Sequence, residues 1–467
     1  GEWNVKKSAI VWAALLALAL TSCGNAPSKT PETEQKTTLA RQQTETQPQQ
    51  AIGKGTVCML DKGDGDTYYH AFQDWEIGKD SASNSAIIYS IDMKTGEAHP
   101  VCRKAGCSHD TDSCPAFYGV ATYVETFSDE KELYAAVFHY ADDRNSYTLE
   151  KINADRTERQ IVLELPNDMG LVSTALAQDE ENLYFIAYRD MYENGMQEFL
   201  YAVNRNTFDF KEIYRWDELS PADEWGSPEI VYMAGAAERQ LYFIREMWSQ
   251  YGKAQVVVGA LDLETGAYTE LQCYERDGGT VIVPPNEENR GYASFAHEYR
   301  WYYNDRACAI AEYNSQEGTV SVIDPITGQK TELATGLPTS CEGRETGYSV
   351  VGYRDGWLLN VYEFGRDAKG NGTGEYSRHQ YFCKDDKMTE ISQECYIPGK
   401  DIEKIAIENI RNGNVLVAYD GKSRNVQTID ESGAAVTQHV NWRIYGVIPL
   451  SELLNGSVDY TPLAFTQ

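Results

Sequence analysis

The sequence predicts an all-β fold, a β-propeller of seven four-stranded blades, with six or eight blades as alternatives. Short aromatic strands recur at intervals of about 50–64 residues, with starts near residues 69, 133, 183, 241, 301, 357 and 415. A closing turn is written almost identically three times, as Asp92–Gly96, Asp262–Gly266 and Asp324–Gly328. Four antiparallel strands repeated at this spacing are typical of a propeller, and a large β-sandwich does not explain the even spacing.

Each copy has the same predicted interior, and the third copy illustrates it. A first strand, Leu171–Gln178, leads through a tight polar turn into the aromatic strand Leu183–Ala187. A longer hairpin loop then leads to a third strand, Phe199–Asn204, and a last turn leads to the fourth. In that last turn an Asp side chain can accept a backbone N–H, and the Gly supplies the positive φ that the hairpin needs.

The residues ahead of the repeats predict a secretion signal and a flexible tether. Two lysines, Lys6 and Lys7, precede the apolar run Ala9–Leu20, which is too short for a membrane-spanning helix of ~20 residues and is typical of a secretory signal. It ends in Leu20-Thr21-Ser22-Cys23, which resembles the lipobox of bacterial lipoproteins. An ordinary signal peptide with a coincidental cysteine is the alternative. We expect a signal peptide over 1–22, a disordered Thr/Gln/Pro tether over 23–50 and the propeller domain over 51–467.

Composition limits the function classes. Asp and Glu number 71 against 41 Lys and Arg, which gives a formal charge of −30. A nucleic-acid backbone or an anionic lipid surface would be repelled, so we expect no nucleic-acid partner. Hydrophobic residues make up 42% of the chain, which is enough for a sizeable core.

The lipobox, the tether, the blade pattern and the cysteine loop Val101–His109 occur in one chain. In this combination the sequence resembles the uncharacterised TolB-like propeller lipoproteins of Gram-positive gut bacteria. In lipoproteins the chain is cut before the lipobox cysteine, whose thiol carries a diacylglycerol. The resemblance therefore implies lipid attachment at Cys23. It also implies an extracytoplasmic position on the bacterial cell membrane, or on the outer membrane in a Gram-negative cell. It implies no particular activity.

Blade topology predicts which face meets a ligand. The hairpins between strands two and three and the crossovers between blades share one face, and here those segments are the long ones. Loops on a rigid scaffold commonly carry function. The aromatic candidates for this ligand-binding face are Trp75, Tyr192, Trp216, Trp225, Trp248 and Tyr251. The alternative for each ring is packing between blades.

The crossover after the first blade holds the densest group of metal-ligating residues, Cys102, Cys107, His109 and Cys114. Disulfides are expected in a secreted protein, for instance between two of these cysteines or with Cys58. A tetrahedral structural zinc site is the alternative, although the spacing is not that of a standard zinc finger. The third alternative is that these cysteines are free thiols.

Other motifs predict little chemistry. The acidic loops 61–66 and 367–372 lack the full calcium-loop pattern, so we predict no calcium site. The chain has no Gly-x-Ser-x-Gly elbow and no P-loop, and His297-Glu298 lacks the second histidine of a zinc peptidase. We therefore predict no catalytic residues.

The sequence as a whole favours a membrane-anchored, extracytoplasmic module that recognises an extracellular glycan, peptide or partner protein without catalysis. A glycan- or peptide-processing enzyme is one alternative, with carboxylates in the central funnel as acid and base. A structural role in envelope assembly is another. The fold alone does not choose among them.

Overall fold

Antiparallel sheets of four or more strands follow one another around a ring in the computed structural model, which confirms the predicted seven-bladed propeller. The model describes residues 51–79, 85–119, 123–139, 146–190, 196–216, 230–248, 254–276, 280–282, 310–314, 317–324, 329–353, 355–398, 403–429 and 433–466. The predicted signal peptide and tether lie outside them. In the described part of the chain, no helix is both long enough and apolar enough to cross a membrane.

The strands of the first four blades follow chain order. A short strand, β1 (Cys58–Met59), precedes blade 1. Blade 1 contains β2 (Gly63–Asp64), β3 (Thr67–Gln73), β4 (Ala86–Asp92), β5 (Glu97–Pro100) and β6 (Phe117–Tyr118). Blade 2 contains β7 (Tyr123–Ser128), β8 (Leu133–His139), β9 (Ser146–Ile152) and β10 (Arg159–Glu164). Blade 3 contains β11 (Met169–Gln178), β12 (Asn182–Asp190), β13 (Met196–Asn204) and β14 (Phe210–Arg215). Blade 4 contains β15 (Ile230–Ala237), β16 (Gln240–Trp248), β17 (Ala254–Asp262) and β18 (Tyr268–Arg276).

The last three blades complete the ring. Blade 5 contains β19 (Thr280–Ile282), β20 (Ile310–Asn314), β21 (Thr319–Ile323) and β22 (Lys330–Ala334). Blade 6 contains β23 (Arg344–Tyr353), β24 (Gly356–Arg366), β25 (Gly372–Lys384) and β26 (Lys387–Ile391), and is followed by the pair β27 (Glu394–Cys395) and β28 (Glu403–Lys404). Blade 7 contains β29 (Ala406–Arg411), β30 (Asn414–Ile429), β31 (Ala435–Pro449) and β32 (Thr461–Pro462), with helix α1 (Leu450–Leu454) before β32 and strand β33 (Ala464–Phe465) after it.

The fifth aromatic strand is the one whose position differs from the repeat. The repeat places it at residues 301–303, which lie outside the described residues. The second strand of this sheet in the structure is β20, which pairs with β19 and β21. The predicted number of blades is therefore right. The predicted start of the fifth copy, near residue 301, differs from the start of β20, which is the second strand of this sheet among the described residues.

Both ends of the described chain add strand pairings to the ring. At the C-terminal end, β33 pairs in parallel with β5 of blade 1, and the ring of Phe465 lies 5.3 Å from that of Phe72. At the N-terminal end, β1 pairs with β11 of blade 3, and Asp61 forms a β-bridge with Ser128 of blade 2. The segment ahead of blade 1 thus runs across neighbouring blades on the face of the short turns.

Hydrophobic cores lie between neighbouring blades rather than within one of them. One buried cluster joins blades 2 and 3, a second joins blades 3 and 4, and a third extends across blades 4 to 7. A fourth unites Leu416 of blade 7, Ile88 of blade 1 and Leu133 of blade 2, so the packing is continuous around the ring. This interblade packing fixes the scaffold from which the loops of the other face project.

Two hairpins extend well beyond ordinary blade strands. In blade 7, β30 and β31 have 16 and 15 residues and pair without interruption of the ladder from Gly421↔Arg443 to Ile429↔Ala435. In blade 6, β24 and β25 have 11 and 13 residues. Both hairpins join the second and third strands of their blades, so they project from the face predicted to meet a ligand.

Candidate binding face and metal-ligating cluster

The predicted aromatic candidates separate in the structure. Trp75 lies in the hairpin loop between β3 and β4, and 40% of its surface is exposed. Trp248 is the last residue of β16. Tyr192, Trp225 and Tyr251 lie outside the described residues. Trp75 therefore lies, partly exposed, on the face predicted to meet a ligand.

Trp216 corrects the prediction. Only 2% of its surface is exposed, and its ring packs 5.1 Å from that of Phe243 and 6.3 Å from that of Tyr268. The residue directly follows the outer strand of blade 3, where the chain turns toward blade 4, so its indole fills the space between the two blades. The alternative of interblade packing holds for this ring.

The hairpin of blade 6 carries an aromatic surface that the sequence analysis did not single out. Tyr362 and Phe364 alternate along β24 and therefore share one face of the strand. Across the ladder, Phe364 lies opposite Tyr376 and Tyr362 lies opposite Arg378. These four residues, Tyr362, Phe364, Tyr376 and Arg378, are named the blade 6 platform below.

The rings of the platform form a nearly continuous surface. The centroids of Tyr362 and Phe364 are 6.4 Å apart with an interplanar angle of 21°, and those of Tyr362 and Tyr376 are 6.3 Å apart at 27°. The Arg378 guanidinium lies 5.8 Å from the centre of the Tyr362 ring. Tyr376 is 57% exposed, so the platform is open to a ligand at its outer end. The alternation of Tyr362 and Phe364 was the available sequence signal, but the cross-strand partners depend on the register.

The opposite face of the same hairpin is ionic. His379 Nε2 lies 2.9 Å from Glu363 Oε2, and Arg344 Nη1 lies 2.9 Å from Glu363 Oε1. Ser377 Oγ also donates to Glu363, at 3.2 Å. A carboxylate that holds an imidazole in this way can support proton transfer, so this face is the place where acid–base chemistry could occur.

The long ribbon of blade 7 lies against the hairpin loop of blade 1. Gly78 has a φ of +70°, and a Cβ at this position would lie 2.6 Å from the indole of Trp442. Arg424 Nη2 donates to the carbonyl oxygen of Lys79. Lys79 in turn donates through Nζ to the hydroxyl of Tyr89, at 2.8 Å. The loop that carries Trp75 is therefore fixed by contacts from blades 1 and 7.

The cysteine loop is an excursion from the outer edge of blade 1. Strands β5 and β6 both pair with β4, and the loop 101–116 joins them. Both ends of the loop are hydrogen-bonded to Ile88. The N–H of Val101 donates to the carbonyl oxygen of Ile88 at 3.0 Å, and the N–H of Ile88 donates to the carbonyl oxygen of Ala116 at 2.9 Å. Because the two ends are held at one residue, Cys102 and Cys114 are brought close together although they are twelve positions apart.

Four side chains converge inside this loop. The ligand atoms of Cys102, Cys107, His109 and Cys114 all lie within 4.8 Å of one another. His109 Nδ1 is 3.3 Å from Cys114 Sγ. The two cysteines nearest the loop ends are buried, and the other two residues are partly buried. The structure thus joins the whole group that the sequence picked out.

The protonation properties of the group follow from its surroundings. Burial raises the pKa of Cys102, and raises that of Cys114 to about 12. Burial also acts to raise the pKa of Cys107, but the His109 N–H, the neighbouring thiols and Lys104 together lower it below its ordinary value. Burial and then the charge of Lys79 lower the pKa of His109. The imidazole is therefore neutral at neutral pH, which is the form that ligates a metal.

A disulfide within this loop stays a prediction, as does a zinc site. Cys102, Cys107 and Cys114 are thiols in the structure. Cys58 lies opposite Gln178 on blade 3, outside the group of four, so it is not positioned as their partner. The arrangement leaves two chemical options for the loop, which are ligation of a metal ion and oxidation of one pair of thiols.

The carboxylates of the two acidic loops, and those of Glu125 and Asp61, have partners within the protein. Lys62 forms a buried ion pair with Glu125 of β7, and Arg411 of β29 forms one with Asp61. In the first acidic loop, Asp64 accepts from Tyr69 and Ser128, and Asp66 accepts from Lys94 and Asn412. In the second loop, Asp367 accepts from the backbone N–H groups of Lys369 and Asn371. These carboxylates stabilise turns and blade contacts.

Comparison with known proteins finds distant structural similarity and no sequence relative. No protein-family model and no curated protein matches its sequence. An oligogalacturonate lyase determined with manganese is similar over 85% of both chains, with 10% identity and a TM-score of 0.37. A puromycin-hydrolysing peptidase of Mycobacterium tuberculosis is similar at 9% identity over 84% of this chain and 58% of its own, with a TM-score of 0.39. The WD40 domain of SCAP from fission yeast is similar at 10% identity over 85% of both chains, with a TM-score of 0.33. At these values the likeness says nothing about substrate or activity.

Proposed function

We propose that this protein is a recognition module that binds an extracellular glycan on the face formed by the hairpins of blades 6, 7 and 1. The observation that carries the proposal is the blade 6 platform, in which three aromatic rings and a guanidinium share one exposed side of a projecting hairpin. Trp75 adds another exposed aromatic ring, outside the platform, on the same face of the propeller.

The platform suits sugar rings for a physical reason. The C–H faces of a pyranose are apolar, and they pack against flat aromatic faces while the hydroxyls at the rim stay hydrated. The three rings lie 5.5–6.4 Å from one another, so they present a compact aromatic patch of the size of a sugar unit. The net charge of −30 disfavours a polyanionic ligand, so we propose a neutral glycan.

The central ion pairs favour binding over catalysis in the funnel. A hydrolase working with two carboxylates needs one of them available as an acid and the other as a base or nucleophile. Here Glu125 of the first strand of blade 2 is paired with Lys62, and Asp61 is paired with Arg411 of the first strand of blade 7. These two acids are committed to holding blades together.

A second candidate function rests on a separate observation. The couple of His379 and Glu363, 2.9 Å apart, lies on the other side of the hairpin that carries the platform. A glycan or peptide held at this hairpin could meet a general base there. A processing enzyme is therefore retained as the alternative, with its site on blade 6 rather than in the funnel.

We further propose that the propeller is held outside the cell membrane by a lipid on Cys23. The support is the order of basic residues, short apolar run and lipobox, followed by a polar tether. As a flexible coil, a tether of this length would extend roughly 30 Å, enough to keep the binding face clear of the membrane.

The proposal is tested by applying the purified full chain to arrays of neutral glycans, acidic glycans and peptides, with each bound ligand followed by mass spectrometry for turnover. Binding of a neutral glycan without product is the expected result. Product formation that disappears in His379→Ala would replace the proposal with the enzyme alternative. Binding confined to peptides, or no binding to either array, would contradict it.

A further inference from the structure

We propose that the loop 101–116 is a structural zinc site, with Cys102, Cys107, His109 and Cys114 as its four ligands. Three thiolates and one imidazole are a complete ligand set for tetrahedral Zn²⁺. In the structure their ligand atoms lie within 4.8 Å of one another. The site is independent of the proposed glycan ligand.

The distances fit a zinc ion closely. With Zn–S bonds of about 2.3 Å, two sulfurs at the corners of a tetrahedron are about 3.8 Å apart. The four ligand atoms lie within 4.8 Å of one another, and His109 Nδ1 is 3.3 Å from Cys114 Sγ, so they are near the spacing that a zinc ion needs. No strand has to shift, because the ligands all belong to one loop.

A backbone N–H is positioned to stabilise the thiolate of Cys102. The N–H of Lys104 donates to Cys102 Sγ at 3.4 Å. Such outer hydrogen bonds orient metal ligands and favour the deprotonated form that a metal needs.

A disulfide accounts for less of this arrangement. It would join two sulfurs and leave the third cysteine and His109 without a role at the same point. A zinc ion uses all four residues, including the one imidazole in the group. Four protein ligands also leave no open position, so the site is structural rather than catalytic.

The position of the site indicates which part of the propeller a bound zinc ion would stabilise. The loop ends are held at Ile88 of β4, and the next residue, Tyr89, accepts a hydrogen bond from Lys79 Nζ at 2.8 Å. Lys79 belongs to the Trp75 loop and accepts a hydrogen bond from Arg424 of the blade 7 ribbon. Zinc would therefore fix the crossover beside the contact between blades 7 and 1, where the ring closes.

The test measures metal content and ligation in the full chain, purified anaerobically with a reductant and reconstituted with Zn²⁺ or Co²⁺. We expect one Zn²⁺ per chain, and with Co²⁺ the charge-transfer and d–d bands of a tetrahedral thiolate site. Cys107→Ser and His109→Ala should lose zinc to a competing chelator at least about tenfold more readily. Cys273→Ser, which alters an exposed thiol outside the group, and His439→Ala should match the wild type.

Three results would overturn the proposal. The first is a folded wild-type chain that binds no zinc after reconstitution. The second is peptide mapping that finds a disulfide between two of Cys102, Cys107 and Cys114 in protein that was isolated with its native oxidation state preserved. The third is equal zinc retention in His109→Ala and wild type. If Cys107→Ser fails to fold, the zinc retention of His109→Ala and the cobalt spectrum of the wild type still test the proposed zinc site.

Discussion

Arg411 and Asp61 form a buried ion pair that joins the last blade to the segment ahead of the first. Arg411 ends β29 and is 1% exposed, and Asp61 bridges Ser128 of blade 2. Both Nη atoms of the guanidinium face the carboxylate. Blades 7, 1 and 2 therefore share one electrostatic contact, and ring closure depends on it as well as on the added strand β33.

Removing one partner of this pair should destabilise the whole ring. In Arg411→Met the carboxylate of Asp61 remains buried without its cation, and we expect a loss of about 3–5 kcal/mol in the free energy of unfolding. The double variant Asp61→Asn/Arg411→Met should recover part of that loss. Denaturant unfolding measures both.

The matched control is Arg215→Met, which breaks an exposed pair with Glu212 on an outer strand. Its cost should be at most about 1 kcal/mol. Equal losses for Arg411→Met and Arg215→Met would show that the buried pair has no special role in closure.

Glu198 should make stability fall as pH rises. Burial raises the pKa of this β13 residue to about 8, against an ordinary value of 4.5, with the Val231 N–H and Arg245 opposing the shift. The folded protein therefore holds a proton that the unfolded chain releases, and between about pH 4.5 and pH 8 this contribution to stability is lost progressively. Thermal or denaturant unfolding across that range should show the decline.

The Glu198→Gln variant removes this titration while its amide oxygen can still accept the Val231 N–H. We expect it to be more stable than the wild type at pH 8, by roughly 2–4 kcal/mol, with a smaller difference at pH 5. Glu164→Gln, at an exposed position on β10, should behave as the wild type. A pH profile of Glu198→Gln that runs parallel to that of the wild type would count against the buried, protonated carboxyl.

Anchoring is expected to depend on a single thiol. Cys23→Ala removes the atom that would carry the diacylglycerol, so the protein should leave the membrane fraction when expressed in a bacterium that processes lipoproteins. Cys273→Ala should stay with the membranes. Retention of Cys23→Ala in the membrane fraction would show that another segment or partner holds the protein there.

Much of the fold could be predicted because the relevant signals are local. The aromatic strands at Tyr69, Leu133, Leu183, Leu241 and Trp357 all lie in the second strand of their blades. Turn chemistry works in the same way, since Asp262 accepts the N–H groups of Glu264 and Thr265 and Gly266 has a φ of +71°. Alternation and turn residues need only neighbouring positions in the chain.

The candidate sites depend on contacts between distant positions. The pairing of Phe364 with Tyr376 follows from the register of a long hairpin, and the sequence does not specify how far β24 and β25 remain paired. Cys102 and Cys114 converge because Val101 and Ala116 both bind Ile88, which no spacing rule reveals. Trp216 was predicted on the ligand face because it begins a crossover between blades, but the neighbouring blade covers it.

The most direct test of the account is the affinity of the wild type and platform variants for the neutral glycan selected on the array. Tyr376→Ala and Phe364→Ala should weaken binding by about 10-fold or more, since an aromatic anchor contributes at least ~1.4 kcal/mol. Phe210→Ala, which removes a ring 48% exposed on the outer strand of blade 3, should leave the affinity unchanged. Affinities that are equal for the wild type, Tyr376→Ala and Phe364→Ala would contradict the assignment of the blade 6 platform as the binding site.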